Sequence, residues 1–237
     1  KLAERARRET EIMHRIVEAQ EGERNRIARG LHDKLGQQMT ALRLRVEAIA
    51  EECSADEKLR DAIGLVRTSA VELDRDLGFL SWELKPTELE DLGLQNALSS
   101  FVREWSQRHG IEADFQASLN DAKDLRLQPE AETNLYRITQ EALNNALQHA
   151  HATRVSVLLQ RRKDDLVLIV EDDGSGFEPA SISSTPASGI GLAGMKERAA
   201  LLGGSLDLDT TPGQGTSIIV RIPGAKWQPA GAVTAAI

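Results

Sequence analysis

Leu59, Ile63, Val66, Ala70, Leu73, Leu77, Leu80 and Leu84 follow one another at alternating spacings of +4 and +3. A mean period of about 3.5 residues keeps such positions along one side of an α-helix. The helix must stop at Lys85-Pro86, because proline has no N–H and disfavours helical backbone in the residue before it. Upstream, residues 2–52 read as one further helix, roughly 75 Å long. Its first part carries only a sparse apolar stripe, Ile12, Met13, Ile16 and Val17. So long a helix is seldom stable alone and implies a partner helix. Residues 53–57, CSADE, supply a turn with a Ser or Asp cap. An antiparallel helical hairpin results. A single hairpin cannot bury both stripes well, whereas two hairpins make a four-helix bundle, so a homodimer is expected. A coiled-coil spacer without chemistry would fit the same pattern.

The first long helix has one unusual insert. Residues 23–42 contain His32-Asp33, with Gln37 four residues after the aspartate. At about 100° per residue, Ile27, Leu31, Leu35, Leu42, Val46, Ile49 and Cys53 share one face. Asp33 then points away from that face, Gln37 lies one turn above it, and His32 sits at the border with water. An accessible imidazole beside a carboxylate suits a group that one partner phosphorylates and another empties. A lone histidine on a helix is more commonly a plain boundary residue.

Bulk properties narrow the class. Aromatic content of 3% suits helices packed through Leu, Ile, Val and Ala. A formal net charge of -8 argues against a nucleic-acid surface over the whole chain. The single cysteine, Cys53, excludes an internal disulfide and fits a reducing compartment. No apolar run approaches ~20 residues, so neither a membrane span nor membrane contact is expected, and no signal peptide is visible. A cytoplasmic location is expected. The chain opens on Lys1 in helical sequence, as a fragment cut from below a sensor region would.

After residue 93 the pattern changes. Residues 94–109 read as a helix with Leu98, Phe101, Val102 and Trp105 on its apolar side. Residues 111–116 alternate like a strand, 130–149 read as a helix, and 154–160 and 166–171 as strands. Residues 181–188, SISSTPAS, read as a flexible loop, and 193–202 as a helix closed by Gly203-Gly204. Residues 205–209 and 216–222 form a closing strand pair. This is an α+β sandwich with helices over one sheet face. The Ala-, Pro- and Gly-rich end, 224–237, is expected to fray.

Four stretches here share a chemical theme. In EALNNALQH, residues 141–149, Glu141, Asn145 and His149 recur every four residues. A carboxamide oxygen there could serve Mg²⁺, which keeps waters and nucleotide oxygens as its other ligands; a solvated polar face is the plain alternative. In DDGSG, residues 172–176, an acid ends an apolar strand and Gly174 and Gly176 follow. Its carboxylate could accept a hydrogen bond from an exocyclic amine, or the stretch could be an ordinary turn. Gly189, Gly191 and Gly194 precede or open a helix, where backbone N–H groups can face phosphate. As a dinucleotide fingerprint that spacing fails, because a Ser/Pro loop precedes it and no further βαβ units follow. Gly213-Gln214-Gly215-Thr216 is a turn with a hydroxyl at its exit.

Together, in this order and behind a histidine-bearing hairpin, these stretches resemble the two-component sensor histidine kinases of the NarX/DesK-like subfamily, over roughly residues 23–223. RIARGLHDKLGQQ is similar to that subfamily's phosphoacceptor box, EALNNALQH to its N box, and DDGSGF, GIGLAGMKERA and PGQGT to its glycine boxes. LKPTELEDLGL resembles the junction between its two domains. The resemblance implies a signal-transmitting helix (1–22), a dimerisation and phosphotransfer hairpin (23–86), a linker (87–93) and an ATP-binding α/β sandwich of the GHKL, or Bergerat, type (94–223). It implies His32 as phosphoacceptor, Asp33 as acid/base and Gln37, with Asp33, as the phosphatase motif. It further implies Asn145 as the Mg²⁺ ligand with Glu141 in the same box, and Asp172 as the adenine acid, with Gly174 and Gly176 allowing close approach. Gly189, Gly191 and Gly194 would border the nucleotide, residues 181–188 would form a lid, and Thr216 would close the adenine side. ATP and Mg²⁺ are the implied cofactors. The implied partners are a second copy and the receiver domain of a response regulator, with no direct nucleic acid. Asn144-Asn145 leaves two candidates for the metal, resolved to Asn145 by spacing, and Gln148 stands where many members carry Lys. A dimeric nucleotide-binding scaffold, a phosphatase-dominant member and another enzyme on the same ATP fold are the rival classes.

Overall fold

A computed structural model describes residues 2–52, 57–84, 87–119, 127–178 and 190–224. The chain divides into two compact units, one spanning Glu18–Thr87 and the other built from Lys1–Val17 and the chain from Glu88 onward. Helix α1 (Leu2–Leu31), which contributes to both, passes directly into a π-helical segment, His32–Gly36, and then into α2 (Gln37–Glu52). The continuous helix expected from the sequence is therefore interrupted by a change of pitch at the histidine itself. Surface pairs at helical spacing support its polar stretches. Arg15 donates to Glu11 at 2.7 Å, and Arg26 meets Glu23 through Nε at 2.8 Å and a second guanidinium nitrogen at 2.5 Å. That hydrogen bond lowers the Glu23 pKa and raises that of Arg26.

In the helical unit, α2 packs along α3 (Glu57–Leu84), and the π segment touches both. The predicted turn at residues 53–56 lies outside the described residues. Small or branched residues sit at the centre: Ala28, Val46 and Ala70 are buried. The rest of the α3 stripe is far less covered, with Leu73 52% and Val66 51% exposed. Arg43 reaches Asp74 across the two helices at 3.8 Å, an exposed pair worth little.

The second unit begins with α4 (Thr87–His109). The stretch 87–93, read from sequence as a linker, is helical, and Gly93 breaks the helix with φ 78° and ψ 171°. Ser106 ties α4 to β1 (Glu112–Ser118): its hydroxyl donates to the Ile111 carbonyl at 2.7 Å and accepts from the Ala113 N–H at 3.3 Å. There follow α5 (Pro129–Asn145), a second π segment (Ala146–Ala150), β2 (Arg154–Arg162), β3 (Asp165–Asp172), α6 (Ile190–Leu201), β4 (Ser205–Thr210) and β5 (Thr216–Ile222). The five-stranded sheet runs β1-β2-β3-β5-β4. β1 lies parallel to β2, and the other neighbours are antiparallel. A parallel pair needs a crossover, and α5 with its π extension supplies it.

Alternation explains which sheet face is covered. Val155, Val157 and Leu159 of β2 are buried, as are Leu166, Leu168 and Val170 of β3 and Ile218, Val220 and Ile222 of β5. Leu94, Leu98, Phe101 and Val102 of α4, Leu135, Ile138 and Leu143 of α5, and Met195 and Ala199 of α6 complete this core. The Phe101 and Tyr136 rings meet at 5.3 Å between centroids.

Candidate nucleotide and phosphoacceptor sites

A cavity of about 420 Å³ opens between α5, its π extension, the end of β3, α6 and the β4–β5 pair. Its polar wall comes mainly from one helical surface. Glu141 and Asn145 lie a turn apart on α5, and the π segment carries Gln148 and His149 round to the same wall. A π turn hydrogen-bonds i→i+5 and so displaces side chains relative to an α-helix. The segment ends at His151, which adopts a left-handed conformation with φ 51°.

Asp172 enters from the end of β3 and is half-buried. Its Oδ1 accepts the Gly174 N–H at 2.9 Å. Burial pushes its carboxyl above the usual carboxylate range; N–H donors of Gly174 and Thr216 offset this in part, and the neighbouring Asp173 charge adds to it. The loop that follows is held tightly. Ser175 N–H donates to the Ala150 carbonyl at 2.7 Å, and Gly213 N–H donates to the Ser175 carbonyl at 2.6 Å. A Cβ at Gly174 would run into the Ala150 carbonyl, so only glycine lets the loop approach the end of the π segment this closely.

Gly191, at the start of α6, meets a softer constraint, set by the movable end of a side chain. A Cβ there would run into the Glu141 carboxylate. Thr216, the ladder partner of Asp172, also lines the cavity, its hydroxyl 3.3 Å from that of Thr210, which donates to the Gly215 carbonyl at 3.0 Å. Leu192, Met195, Leu208, Ile218 and Phe177 supply an apolar wall. A mostly apolar cleft with a few convergent polar groups can hold a flat ring at one end and charged groups at the other.

Of the residues singled out from the sequence, Glu141, Asn145, Asp172, Gly176, Gly191 and Thr216 share this cavity wall. Gly174 stands behind it as a close-approach position. Gly194 does not line it and has open space where a Cβ would go, so no packing reason requires glycine there. Gly189 and the proposed lid at residues 181–188 lie outside the described residues. The sequence reading missed Met195, Leu208 and Ile218. Their signal was available only as strand alternation and helix spacing, which mark core residues equally well.

In the helical unit, His32 opens the π segment and Gly36 closes it, with the Thr40 hydroxyl donating back to the Gly36 carbonyl at 3.0 Å. The directions expected for the His32 and Asp33 side chains lie outside what is described. Gln37 begins α2, is exposed, and lines a shallow groove with Lys34, Gln38 and Ala41. π segments inside α-helices concentrate at functional positions.

Residues 23–89 match the family model HisKA_3, Histidine kinase, and residues 130–226 match HATPase_c, Histidine kinase-, DNA gyrase B-, and HSP90-like ATPase. The chain is 32% identical over 212 residues to the oxygen sensor histidine kinase NreB of Staphylococcus carnosus (strain TM300), covering 90% of this chain and 59% of that protein. It is 35% identical over 214 residues to the signal transduction histidine-protein kinase/phosphatase DegS of Brevibacillus brevis, covering 88% of this chain and 53% of that protein. The chain thus spans rather more than half the length of either relative. The histidine kinase domain from Erythrobacter litoralis EL346 blue-light activated histidine kinase aligns with a TM-score of 0.47 at 20% identity, over 80% of this chain and 95% of that one. At that level the likeness bears on neither site nor activity. Among the described residues no helix is long and apolar enough to cross a membrane. With HisKA_3 and HATPase_c segments both matched and NreB and DegS as relatives, the chain belongs to the sensor histidine kinases, in the NarX/DesK-like branch that carries the HisKA_3 segment.

Proposed function

We propose that this chain is the cytoplasmic signalling portion of a sensor histidine kinase. It autophosphorylates His32 from ATP, passes the phosphoryl group to an aspartate of a response-regulator receiver domain, and hydrolyses the phospho-regulator. The observation that carries this reading is the convergence of Glu141, Asn145, Asp172 and Thr216, from three separate stretches of sequence, on one cavity in an ATPase-type unit.

Asp172 accepts the exocyclic amine of adenine, and the apolar wall of Met195, Leu208 and Ile218 takes the ring. Gln148, His149 and the backbone N–H groups at the start of α6 face the phosphates. For Mg²⁺ the fit is good but partial. Asn145 offers an amide oxygen and Glu141 a carboxylate on the same wall, and the described residues contain no group of three or more His, Cys, Asp or Glu that would form a cage. A cation that keeps waters and nucleotide oxygens as most of its ligands suits such a wall. Bound there, Mg²⁺ would neutralise charge on the phosphates. The neutral imidazole of His32 attacks the γ-phosphorus; the N–P bond forms as the bond to the bridging oxygen breaks, and ADP leaves. Asp33 holds the second ring N–H or takes the released proton. In the reverse function Gln37, exposed at the start of α2, orients water towards the partner's phospho-aspartate.

A second copy of the hairpin covers the exposed stripe of α3, giving a four-helix homodimer. The groove at Lys34, Gln37, Gln38 and Ala41 would face the receiver domain.

The test is incubation with γ-labelled ATP and Mg²⁺, comparing the parent chain with His32→Gln. Acid-labile, base-stable label on the parent and none on the variant is expected. Equal label on both would sink the assignment of the nucleophile, and label stable to acid would point to a different phosphorylated residue.

A further inference from the structure

Asp173 stands beside the adenine acid yet faces away from the cavity. It is exposed and adds nothing to the core. Three donors nevertheless converge on its carboxylate. Oδ1 accepts the N–H groups of Thr153 at 2.8 Å and Arg154 at 2.9 Å, and Oδ2 accepts the Thr153 hydroxyl at 2.7 Å. The Asp173 N–H returns a bond to the Arg154 carbonyl at 3.2 Å. These donors hold the carboxyl below the usual carboxylate range, the Thr153 hydroxyl most of all.

The placement of this cluster gives it meaning. The β2–β3 ladder ends at the pair Val155–Asp172, and the Asp173 contacts begin where the ladder stops. Ahead of Thr153 the chain turns through left-handed His151 out of the π segment that bears Gln148 and His149. Behind Asp173 it enters the loop that contacts Ala150 through Gly174 and Ser175. The same carboxylate therefore joins the chain segment that follows Gln148 and His149 to the one that follows Asp172, and all three of these residues line the cavity. The ladder pairs from Val155 to Arg162 hold the sheet without it.

We propose that the Thr153–Asp173 clamp is a positioning device for the nucleotide, fixing the polar end of the π segment against Asp172 and so setting affinity for ATP. This rests on the reading of the cavity as the ATP site. Asp173 touches no part of the substrate in this scheme. Its role is geometric, so an isosteric amide serves nearly as well as the acid: Asn Oδ1 can still accept both backbone N–H groups, and its amide N–H can meet the Thr153 hydroxyl.

The experiment measures ADP binding by calorimetry, KM for ATP and kcat of autophosphorylation, and thermal midpoint, on the parent chain and on Asp173→Ala, Asp173→Asn, Thr153→Val and Ser106→Ala. Ser106→Ala is the comparator, because it removes a similar hydroxyl bridge, between α4 and β1, away from the cavity. Asp173→Ala is expected to weaken ADP and raise KM about tenfold while kcat at saturation holds. Asp173→Asn should stay within about threefold of the parent, and Thr153→Val should weaken ADP about threefold. Ser106→Ala should lower the thermal midpoint with affinity unchanged. Parental affinity in Asp173→Ala, Asp173→Asn as weak as Asp173→Ala, or affinity that merely tracks thermal midpoint across all variants would overturn the proposal. If Asp173→Ala does not fold, Thr153→Val decides, and parental affinity there overturns it. A parent chain that bound no ADP would instead overturn the reading of the cavity, and the clamp proposal with it.

Discussion

Leu135, Ile138, Leu143, Val155 and Ile222 of the sheet-bearing unit are fully buried, whereas in the hairpin Leu59, Val66, Leu73 and Leu80 are each between 43% and 52% exposed. Both sets lie in elements that local periodicity marks, helical spacing in the one case and helical spacing or strand alternation in the other. The difference lies in what the chain itself provides to cover them. In one unit three helices and a sheet close over each other; in the other a single pair of helices leaves one seam bare. Covering the exposed half of a leucine is worth about 1 kcal/mol, so the seam contributes roughly several kcal/mol per copy once a second hairpin is present. On the proposed function, the sheet unit holds the nucleotide and the hairpin holds a second copy of itself.

The largest expected effect separates the two directly. Leu73→Glu places a charge in each copy of the seam, and sedimentation should show self-association weakened by at least about a hundredfold. ADP affinity should not change, and a variant that stayed dimeric would break the contrast. Next in size is Asp172→Ala. Loss of a half-buried charged acceptor should weaken ADP by about thirtyfold in calorimetry while sedimentation still shows the dimer. Because burial holds the Asp172 carboxyl above the usual range, ADP affinity of the parent should fall as pH drops, starting at higher pH than an ordinary aspartate at ~3.9 would give. In Asp172→Ala that slope should vanish. Gln37→Ala comes third. Dephosphorylation of a phospho-receiver should slow by about tenfold, with autophosphorylation unchanged, and equal loss of both rates would deny Gln37 a separate role.

The smallest effect concerns acid stability of the sheet unit. Asp173 has a folded pKa below its unfolded value, so its contribution is present above about pH 3.9 and is lost as pH falls through the lower folded value. Asp173→Asn should flatten the decline of thermal midpoint over that window, and an unchanged decline would show that its carboxylate bonds do not persist in solution.

Much of this was legible in the residues. The +4/+3 stripe of α3 and the alternation of β2, β3 and β5 follow from local periodicity, and the structure has a helix and strands at those places; the expected break at Lys85-Pro86 lies outside the described residues. Glu141, Asn145, Asp172 and Thr216 were separable as candidates because each sits in a stretch whose polar or glycine content conflicts with simple packing. The π segments were not legible. Projection at a constant angle assumes i→i+4 bonding, and nothing in HDKLG or ALQHA announces an i→i+5 turn. The helical character of 87–92 was hidden by the proline before it and by Gly93 after it. The parallel pairing of β1 with β2 and the insertion of β5 between β3 and β4 depend on long-range contacts that no local pattern encodes. Gly194 was selected by its place in a motif, yet nothing presses on it; at Gly174 and Gly176, from an equally plain motif, a Cβ would run into backbone carbonyls.

The most direct measurement follows nucleotide binding and phosphorylation on the same preparations of parent, His32→Gln and Asp172→Asn chains. If the two units divide the chemistry, His32→Gln binds ADP as the parent does and takes no label from γ-labelled ATP, while Asp172→Asn loses affinity and label together at limiting ATP and regains label as ATP is raised. Label on His32→Gln, or loss of ADP binding in it, would contradict that division.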